Sequence, residues 1–240
     1  SHSHDHGHEH EHTHEHEQPG NMPSIVTVNL QEKVLSRNDE IAAENRKWLD
    51  EHNVTAMNLI SAPGTGKTLL LEKTIAMLQP GIDCAVIAGD QRTDRDAERI
   101  AATGARVAQI QTGDACHLSA EQIREKLPAV VQENTSILLI ENVGNLVCPS
   151  AFDLGEHFKV GLLSVTEGED KPVKYPSLFS QAPVSILTKT DLLPHVEFNV
   201  AECRRFLQQV HPGMFVFELS AKTGQGMQEW IQYLTNLSGA

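Results

Sequence analysis

A glycine-rich loop followed by a lysine and a threonine, SAPGTGKT over residues 61–68, has the composition of a phosphate-binding loop. Gly64 and Gly66 allow successive backbone N–H groups to point at one anion, and a helix beginning directly after them adds its dipole. Lys67 can reach the β- and γ-phosphates of a nucleotide, and the Thr68 hydroxyl can ligate Mg²⁺. The serine that opens the loop stands where the usual pattern has glycine, so a chance glycine turn is the alternative. The predicted phosphate contacts are Pro63, Gly64, Thr65, Gly66, Lys67, Thr68 and Leu69.

Two acidic residues at predicted strand ends could complete a magnesium site beside this loop. Asp90 follows the apolar run CAVIAG, and Glu141 ends the run SILLIE and opens ENVG. ENVG has the spacing of the D-x-x-G motif of GTPases, with Glu in place of Asp, so the Gly144 N–H would face the γ-phosphate. A strand-end carboxylate alone is a weak indication, since many such residues cap loops. Beside the phosphate loop, we interpret Thr68, Asp90 and Glu141 as Mg²⁺ ligands and, with Lys67 and Gly144, as the catalytic groups.

Two short motifs further along the chain are typical of a guanine pocket: TKTD, ending at Asp191, and SAK, both directly after predicted strands. Asp191 would accept from two N–H donors of guanine, Lys189 would lay its stem along the ring, and the Ala221 N–H would meet the guanine oxygen. Adenine would leave these groups unpaired, so GTP is predicted over ATP; a P-loop ATPase or kinase is the alternative. Thr188 replaces the usual Asn and is expected to weaken binding. The predicted base contacts are Lys189, Asp191, Ser220, Ala221 and Lys222.

Two cysteines and a histidine could bind a transition metal next to these groups. Cys116 and His117 are adjacent in GDACHL, and Cys148 ends ENVGNLVC. Two thiolates and an imidazole suit Zn²⁺ or square-planar Ni²⁺, although a buried cysteine beside a loop histidine is the plainer interpretation. Cys148 lies four residues beyond Gly144, at most about 14 Å along an extended chain. We therefore expect metal affinity to depend on nucleotide state; three ligands leave one position open, or a two-fold dimer could pool two sets.

The N-terminal segment alternates histidine with mostly acidic residues and holds eight of the thirteen histidines of the chain. Residues 1–18 carry no apolar side chain to offset the entropy of folding, so residues 1–22 are predicted to be a disordered tail. Closely spaced imidazoles chelate divalent Ni, Cu or Zn, which predicts a metal-buffering role. A purification tag or a leader without a role are the alternatives. The histidines concerned are His2, His4, His6, His8, His10, His12, His14 and His16.

From residue 55 onward, short apolar runs alternate with helical patterns. The predicted strands are 56–62, 84–89, 106–110, 136–141, 159–166, 183–188 and 214–219. The predicted helices are 31–52, 67–79, 93–103, 119–132, 199–210 and 226–237. This alternation predicts right-handed crossovers and an α/β fold with a doubly wound, mainly parallel sheet. Such a sheet binds its ligand at the carboxyl ends of its strands, where the motifs above lie.

A seven-residue apolar repeat precedes the first of these strands. Its two stripes are Val34, Ile41 and Trp48, and Leu35, Ala42 and Leu49. The repeat predicts an amphipathic helix packed on the core, and Asn29 with Glu32 resembles a capping box at its start. Residues 24–30 are predicted to be a short strand or an extended lead-in. One domain, residues 23–240, follows the tail.

Composition excludes several classes of protein. A net charge of −13 over 240 residues argues against a general nucleic-acid binder. No apolar run approaches the roughly 18 residues of a membrane span, and the first twenty residues lack the basic start and apolar run of a secretory signal. Four well-separated cysteines are too few for a disulfide scaffold. We predict a reduced, cytoplasmic protein without nucleic-acid or membrane partners.

Taken together, the motifs resemble the hydrogenase nickel-incorporation GTPases, the HypB family within the SIMIBI class of P-loop proteins. The similar passages are RNDEIAAENR, SAPGTGKT, GDQRTDRDAERI, TGDACHL, ENVGNLVCP and TEGEDKPVKYP, and the resemblance covers about residues 24–238. The sister urease accessory GTPases carry Cys-Pro-His, whereas here Cys148-Pro149 is followed by Ser150, which favours the hydrogenase branch. A Cys-x-x-Cys-Gly-Cys nickel site that begins some members is absent from the sequence.

The resemblance implies a P-loop G domain that hydrolyses GTP slowly with Mg²⁺ and delivers nickel during [NiFe]-hydrogenase maturation. GTP would promote a homodimer, with Cys116, His117 and Cys148 of both subunits forming a Ni²⁺ or Zn²⁺ site at the interface. Hydrolysis would release nickel toward the hydrogenase large-subunit precursor, and a HypA-type metallochaperone would be a partner. Lys171 would reach nucleotide across the dimer, a solvated lysine being the alternative. A passive histidine-rich nickel or zinc store and a urease-type accessory GTPase are the rival functions.

Overall fold

The computed structural model describes residues 25–90 and 95–239. Its strands are β1 Thr55–Ser61, β2 Asp83–Asp90, β3 Arg106–Gln111, β4 Thr135–Glu141, β5 Phe158–Ser164, β6 Val184–Thr188 and β7 Phe215–Glu218. They form one seven-stranded sheet in the order β3-β2-β4-β1-β5-β6-β7, and every neighbouring pair is parallel. Each predicted strand is confirmed to within about two residues at its ends. The predicted parallel α/β class is therefore confirmed.

Eight α-helices connect or flank these strands in the described residues. They are α1 Ile25–Glu51, α2 Lys67–Leu78, α3 Arg95–Ala101, α4 Ala120–Val130, α5 Lys171–Lys174, α6 Pro176–Phe179, α7 Val200–Val210 and α8 Met227–Ser238. Two short 3₁₀ helices, Cys148–Ala151 and Thr190–His195, follow β4 and β6. Since α5, α6 and the 3₁₀ helices span only one or two turns, they carry no clear helical periodicity, and the sequence did not predict them. None of the helices in these ranges is long and apolar enough to cross a membrane.

Alternating side chains of the central strands pack on opposite layers of helices. Met57 and Ile137 belong to the core that α2, α3 and α8 cover, whereas Ala56 and Leu138 belong to the core beneath α1 and α4. A third cluster lies under α6 and α7. Strands buried on both faces read as continuous apolar runs, which is why periodicity alone does not show which face is which. Because helices cover both faces of the sheet, a ligand can reach it at the carboxyl ends of the strands.

The N-terminal helix corrects three predictions, one of which is the capping box: Asn29 and Glu32 lie inside the helix and not at its start. Helix α1 begins at Ile25, so the prediction of a strand or extended lead-in over 24–30 is wrong. A residue added to an existing helix gains a backbone hydrogen bond. A strand over the same residues would need a neighbouring strand to pair with, and only β3 and β7, the outer strands of the sheet, could provide one. Ile41 and Leu49 are buried as predicted, but Val34 is 54% exposed. The first half of the apolar stripe therefore does not pack on the described core.

Candidate nucleotide and metal site

The phosphate loop connects the end of β1 to the start of α2, as predicted. Gly64 has φ of 78° and Gly66, the N-cap of α2, has φ of 93°, a conformation that side chains other than glycine rarely adopt. The loop lines a cavity of about 470 Å³ at the carboxyl ends of β1, β2 and β4. All seven predicted phosphate contacts line this cavity. The arrangement turns backbone N–H groups and a helix N-terminus toward one space, which suits an anion.

Lys67 is buried and lies directly beneath this loop, with only 8% of the residue exposed. Its Nζ donates a hydrogen bond to the backbone carbonyl of Asn142. Burial lowers the pKa of Lys67, and the charge of Glu141 opposes that shift. A buried ammonium needs negative charge close by, and phosphate oxygens would supply it in this cavity.

The acidic residue at the end of β4 contacts the threonine of the loop. The Thr68 hydroxyl donates to Glu141 Oε1 over 3.0 Å, and Glu141 is only 6% exposed. Two oxygen ligands beside a phosphate cavity fit the hard, oxygen-preferring Mg²⁺ ion, which supports these two predicted ligands. Asp90 ends β2 as predicted, but its side chain lies outside the part of the chain that the structure describes.

Gly144 packs against the phosphate loop from the other side. A Cβ added to Gly144 would lie 3.2 Å from Pro63 Cγ and 3.3 Å from Pro63 Cα. This close approach requires a residue without a side chain, unless the neighbouring loop gives way. The segment that follows β4 is thus in contact with the phosphate loop, where a γ-phosphate sensor would lie.

The two base motifs meet in a second cavity of about 240 Å³, next to the phosphate loop. Ser220 Oγ donates to Asp191 Oδ1 over 2.7 Å and so orients its carboxylate. Lys189 has φ of 59°, and its Nζ donates to the Gly64 carbonyl over 2.6 Å. The structure therefore brings together the predicted base contacts, which all line this cavity: Lys189, Asp191, Ser220, Ala221 and Lys222.

Lys171 lies at the start of α5 and is engaged within its own chain. Its Nζ contacts Glu167 Oε1 at 2.6 Å. The other oxygen of Glu167 accepts from the Thr65 hydroxyl over 3.2 Å and from the Ser164 N–H over 2.7 Å. Glu167 thus links Lys171 to the phosphate loop. The sequence reasoning missed Glu167, whose only signal was its place in the acidic run TEGED. The role of Lys171 across a dimer stays a prediction.

The predicted transition-metal ligands come from two loops that lie side by side. Cys116 Sγ is 3.7 Å from His117 Nδ1, and the His117 ring stacks on Phe152 with centroids 3.7 Å apart. A hydrogen bond with Cys116, together with burial, raises the pKa of Cys148. Burial lowers the pKa of His117, which favours the neutral imidazole that a metal requires. Cys116 therefore lies close to both His117 and Cys148 within one chain.

This cluster does not form a complete metal site within one chain. In the described ranges, no three side chains of His, Cys, Asp or Glu are grouped so that they could hold a metal ion. The remaining cysteines, Cys84 and Cys203, are buried in the core, and burial raises the pKa of each to about 12. The ligand set Cys116, His117 and Cys148 stays a prediction, and the histidines of residues 1–22 lie outside the described residues.

Comparison with known proteins identifies the family of the chain. Positions 55–218, which include the phosphate loop and TKTD but not SAK, match the family described as CobW/HypB/UreG, nucleotide-binding domain. Hydrogenase maturation factor HypB of Azotobacter chroococcum mcd 1 is 48% identical over 213 residues, which are 89% of this chain and 70% of that protein. The chain belongs to the HypB family.

Two solved HypB structures share this architecture. HypB of Archaeoglobus fulgidus is 37% identical, has a TM-score of 0.79, and covers 85% of this chain and 100% of its own. HypB of Helicobacter pylori, solved in complex with nickel, is 36% identical, has a TM-score of 0.78, and covers 84% of this chain and 95% of its own. Family membership confirms the resemblance drawn from the sequence, and the P-loop fold of the HypB family supports nucleotide hydrolysis.

Proposed function

We propose that the chain is a GTP-hydrolysing nickel metallochaperone that delivers nickel during maturation of [NiFe]-hydrogenase. The observation that carries this proposal is the short segment from Glu141 to Cys148. At one end Glu141 accepts from Thr68 of the phosphate loop, and at the other Cys148 lies beside Cys116. One segment thus contacts the nucleotide cavity and supplies a sulfur that nickel, the cargo, would bind.

The nucleotide chemistry follows from the groups around the phosphate cavity. The loop amides and Lys67 would stabilise the negative charge on the transferring phosphoryl group. Thr68 and Glu141, with Asp90, would hold Mg²⁺, which when bound neutralises charge on the β- and γ-phosphates. Asp191 and Lys189 would select guanine over adenine. Slow turnover suits a switch, because the lifetime of the GTP state sets the time available for nickel transfer.

The incomplete ligand cluster of one chain supports a shared metal site. A two-fold dimer would bring together two sets of Cys116, His117 and Cys148, enough for four-coordinate Ni²⁺ or Zn²⁺. GTP would promote the dimer, with Lys171 reaching the nucleotide of the partner, and hydrolysis would loosen it. Nickel would then pass to the hydrogenase large-subunit precursor. Placing Lys171 across the interface requires its ion pair with Glu167 to open.

The remaining assignments extend the same proposal. A HypA-type metallochaperone would be a partner, and the protein would act in the cytoplasm. The acidic net charge of −13 argues against nucleic-acid partners. The histidine-rich segment would buffer nickel ahead of the domain that begins at residue 23. The relatives' names and the nickel complex of Helicobacter pylori HypB support nickel as the cargo.

Sedimentation tests this function directly. The chain is run with GDP or with a non-hydrolysable GTP analogue, each with and without Ni²⁺. We expect dimer with the analogue, more dimer when nickel is added, and mostly monomer with GDP. An unchanged sedimentation coefficient under all four conditions would contradict a nucleotide-controlled dimer.

Nickel titration separates this function from a passive store. The chain without residues 1–20 is titrated beside the full chain. A store loses nearly all of its nickel capacity with that segment, whereas the proposed switch retains a tight site that includes Cys116 and Cys148. Loss of all tight binding in the shortened, folded chain would favour the store.

A further inference from the structure

Asn142 occupies a buried position directly between the nucleotide cavity and the Cys116–His117 pair. It is 1% exposed and follows Glu141 at the end of β4. Its backbone carbonyl accepts the hydrogen bond from Lys67 Nζ, the group expected to contact the β- and γ-phosphates. Movement of Lys67 toward or away from a phosphate therefore acts first on the backbone of Asn142.

The side chain of Asn142 bonds to the metal-binding loop. Its Oδ1 accepts from the Leu118 N–H over 3.3 Å and from the Val143 N–H over 2.9 Å. Leu118 is fully buried and is the residue directly after His117. The position of the His117 backbone is thus linked to Asn142 by one hydrogen bond and one peptide unit.

The hydrogen-bond donors and acceptors determine which way this amide points. Asn142 Nδ2 donates to Asn58 Oδ1 over 3.2 Å, and Asn58 Nδ2 donates to Glu156 Oε1 over 3.3 Å. A carboxylate only accepts, and backbone N–H groups only donate, so reversing the Asn142 amide would place N–H against N–H. The orientation is therefore set at both ends.

Glu156 anchors the far end of this chain of hydrogen bonds. It is 3% exposed, accepts from the Leu154 N–H over 2.6 Å, and contacts Lys159 Nζ at 3.0 Å. Both Asn58 and Asn142 are buried, so breaking any of these bonds leaves a polar group without water to replace its partner. A shift of the segment from Glu141 to Cys148 therefore costs less free energy when the Leu118 amide moves together with Asn142, because their hydrogen bond is then kept.

We propose that Asn142 is a positioning residue that transmits the state of the nucleotide cavity to the Cys116–His117 pair through the amide of Leu118. This inference rests on the proposed function, since it supplies the route by which nucleotide would change nickel affinity. The route is separate from the covalent one, which runs along the chain from Glu141 to Cys148. Both routes begin at the end of β4.

The test replaces only the side chain of Asn142 and retains the carbonyl that accepts from Lys67. Asn142→Ala is compared with Asn45→Ala in the full chain. Asn45 is also 1% exposed, and its Nδ2 donates to the Ala120 carbonyl over 2.8 Å and to the Leu154 carbonyl over 2.9 Å. It therefore controls for loss of a buried amide near the same loop without a bond to the segment from Glu141 to Cys148.

The measurement is the nickel dissociation constant with GDP and with a non-hydrolysable GTP analogue. Thiolate-to-nickel charge-transfer absorption reports binding at the cysteines and not at the histidine-rich segment. We expect the two constants of the parent chain to differ by about tenfold, within the usual range of coupling between sites. Asn142→Ala should reduce that ratio to below about threefold, and Asn45→Ala should retain it. By linkage, nickel must shift the preference for the analogue over GDP by the same factor in each variant.

The outcomes separate this inference from the function on which it rests. A parent ratio of one would overturn the nucleotide-dependent nickel site and this route with it. A parent ratio that persists in Asn142→Ala would overturn the route alone. Equal losses in Asn142→Ala and Asn45→Ala would also overturn it, because the effect would then be one of general packing.

A second measurement needs no variant. Hydrogen exchange of the Leu118 amide is followed by NMR in the parent chain with GDP and with the analogue. The Ala120 N–H, which donates to Asn38 Oδ1 over 2.9 Å, is the internal control. We expect exchange at Leu118 to change by about tenfold or more and exchange at Ala120 to stay the same. Equal exchange at Leu118 in both states would overturn the proposal.

Discussion

The Thr188 hydroxyl donates a 2.7 Å hydrogen bond to the backbone carbonyl of Thr65. Thr188 ends β6 and opens the base motif, whereas Thr65 lies within the phosphate loop. Both residues are buried, at 3% and 1% exposure. The weaker binding expected for threonine in place of the usual Asn stays a prediction, and the hydroxyl ties the base motif to the phosphate loop. The two halves of the nucleotide site are thereby held at a defined separation.

Replacing Thr188 by valine tests this tie. Thr188→Val leaves the Thr65 carbonyl without this donor, and we expect a loss of about 1–2 kcal/mol, or about fivefold to thirtyfold in GTP affinity. Thr190→Val is the control, because Thr190 Oγ1 is buried without a hydrogen-bond partner in the ranges that the structure describes. Titration with a fluorescent GTP analogue measures the nucleotide affinity of both variants. Equal affinities for the two variants would contradict the tie.

The strands and nucleotide motifs were predictable because their signals are local. SAPGTGKT, TKTD and SAK each lie where an apolar run ends, and parallel strands place all such ends at one edge. Period and composition over a few residues were enough to define them. The start of helix α1 was mispredicted because residues 25–28 are all β-branched, which is typical of a strand. No local signal shows that this segment has no strand to pair with.

The residues that the sequence did not single out act through long-range contacts. Glu167 contacts Thr65, 102 residues away, and Asn142 contacts Asn58, 84 residues away. Asn142 occupies a variable position of ENVG and Glu167 lies in the acidic run TEGED, so the role of neither is evident without the fold. Their partners are defined by the strand order β4-β1-β5, which local patterns do not specify.

Replacing Lys67 of the phosphate loop should abolish GTP hydrolysis but leave nickel binding intact. Lys67→Ala deletes the buried ammonium beneath the loop, and we expect GTP hydrolysis to fall by at least about 100-fold. Without nucleotide, nickel binding at Cys116 and Cys148 should stay within about threefold of the parent chain, since Lys67 does not contact either thiol. Phosphate release measures GTP hydrolysis, and nickel titration measures nickel affinity. Loss of both in a folded variant would contradict separate sites.

Asp191 should determine the choice of base. Asp191→Asn replaces one acceptor by a donor, so the pocket should favour xanthosine triphosphate over GTP, with GTP affinity falling by about tenfold or more. Asp170→Asn is the control, because this partly exposed carboxylate pairs with Lys174 outside the base cavity. Competition against a labelled nucleotide reports both preferences. Unchanged GTP selectivity in Asp191→Asn would remove this residue from the pocket.

An ion pair between α1 and the loop before β5 should make stability depend on pH. Arg46 Nη2 donates to Asp153 Oδ1 over 2.6 Å and to Oδ2 over 2.8 Å. Burial alone would raise the pKa of Asp153, but the hydrogen bond from Arg46 and that from the Gly155 N–H hold it below its usual value. The stabilisation is therefore present above the unfolded pKa of about 3.9 and is lost as pH falls through the lower folded value.

Asp153→Asn tests that dependence. About a third of each side chain is exposed, so solvent screening limits the expected loss in unfolding free energy to about 1 kcal/mol at pH 7. The difference from the parent chain should shrink below pH 4. Glu40→Gln, in the exposed pair with Arg37, should change stability by less than about 0.5 kcal/mol. Urea unfolding at pH 7 and pH 3 gives these values; a loss that persists undiminished at pH 3 would contradict the ion-pair origin.

The central claim is that the residues after β4 join the nucleotide cavity to the cysteines. Its most direct test is the nickel affinity of the parent chain, read from thiolate absorption, with GDP and with a non-hydrolysable GTP analogue. The account predicts dissociation constants that differ by about tenfold. Constants that agree within twofold would contradict it.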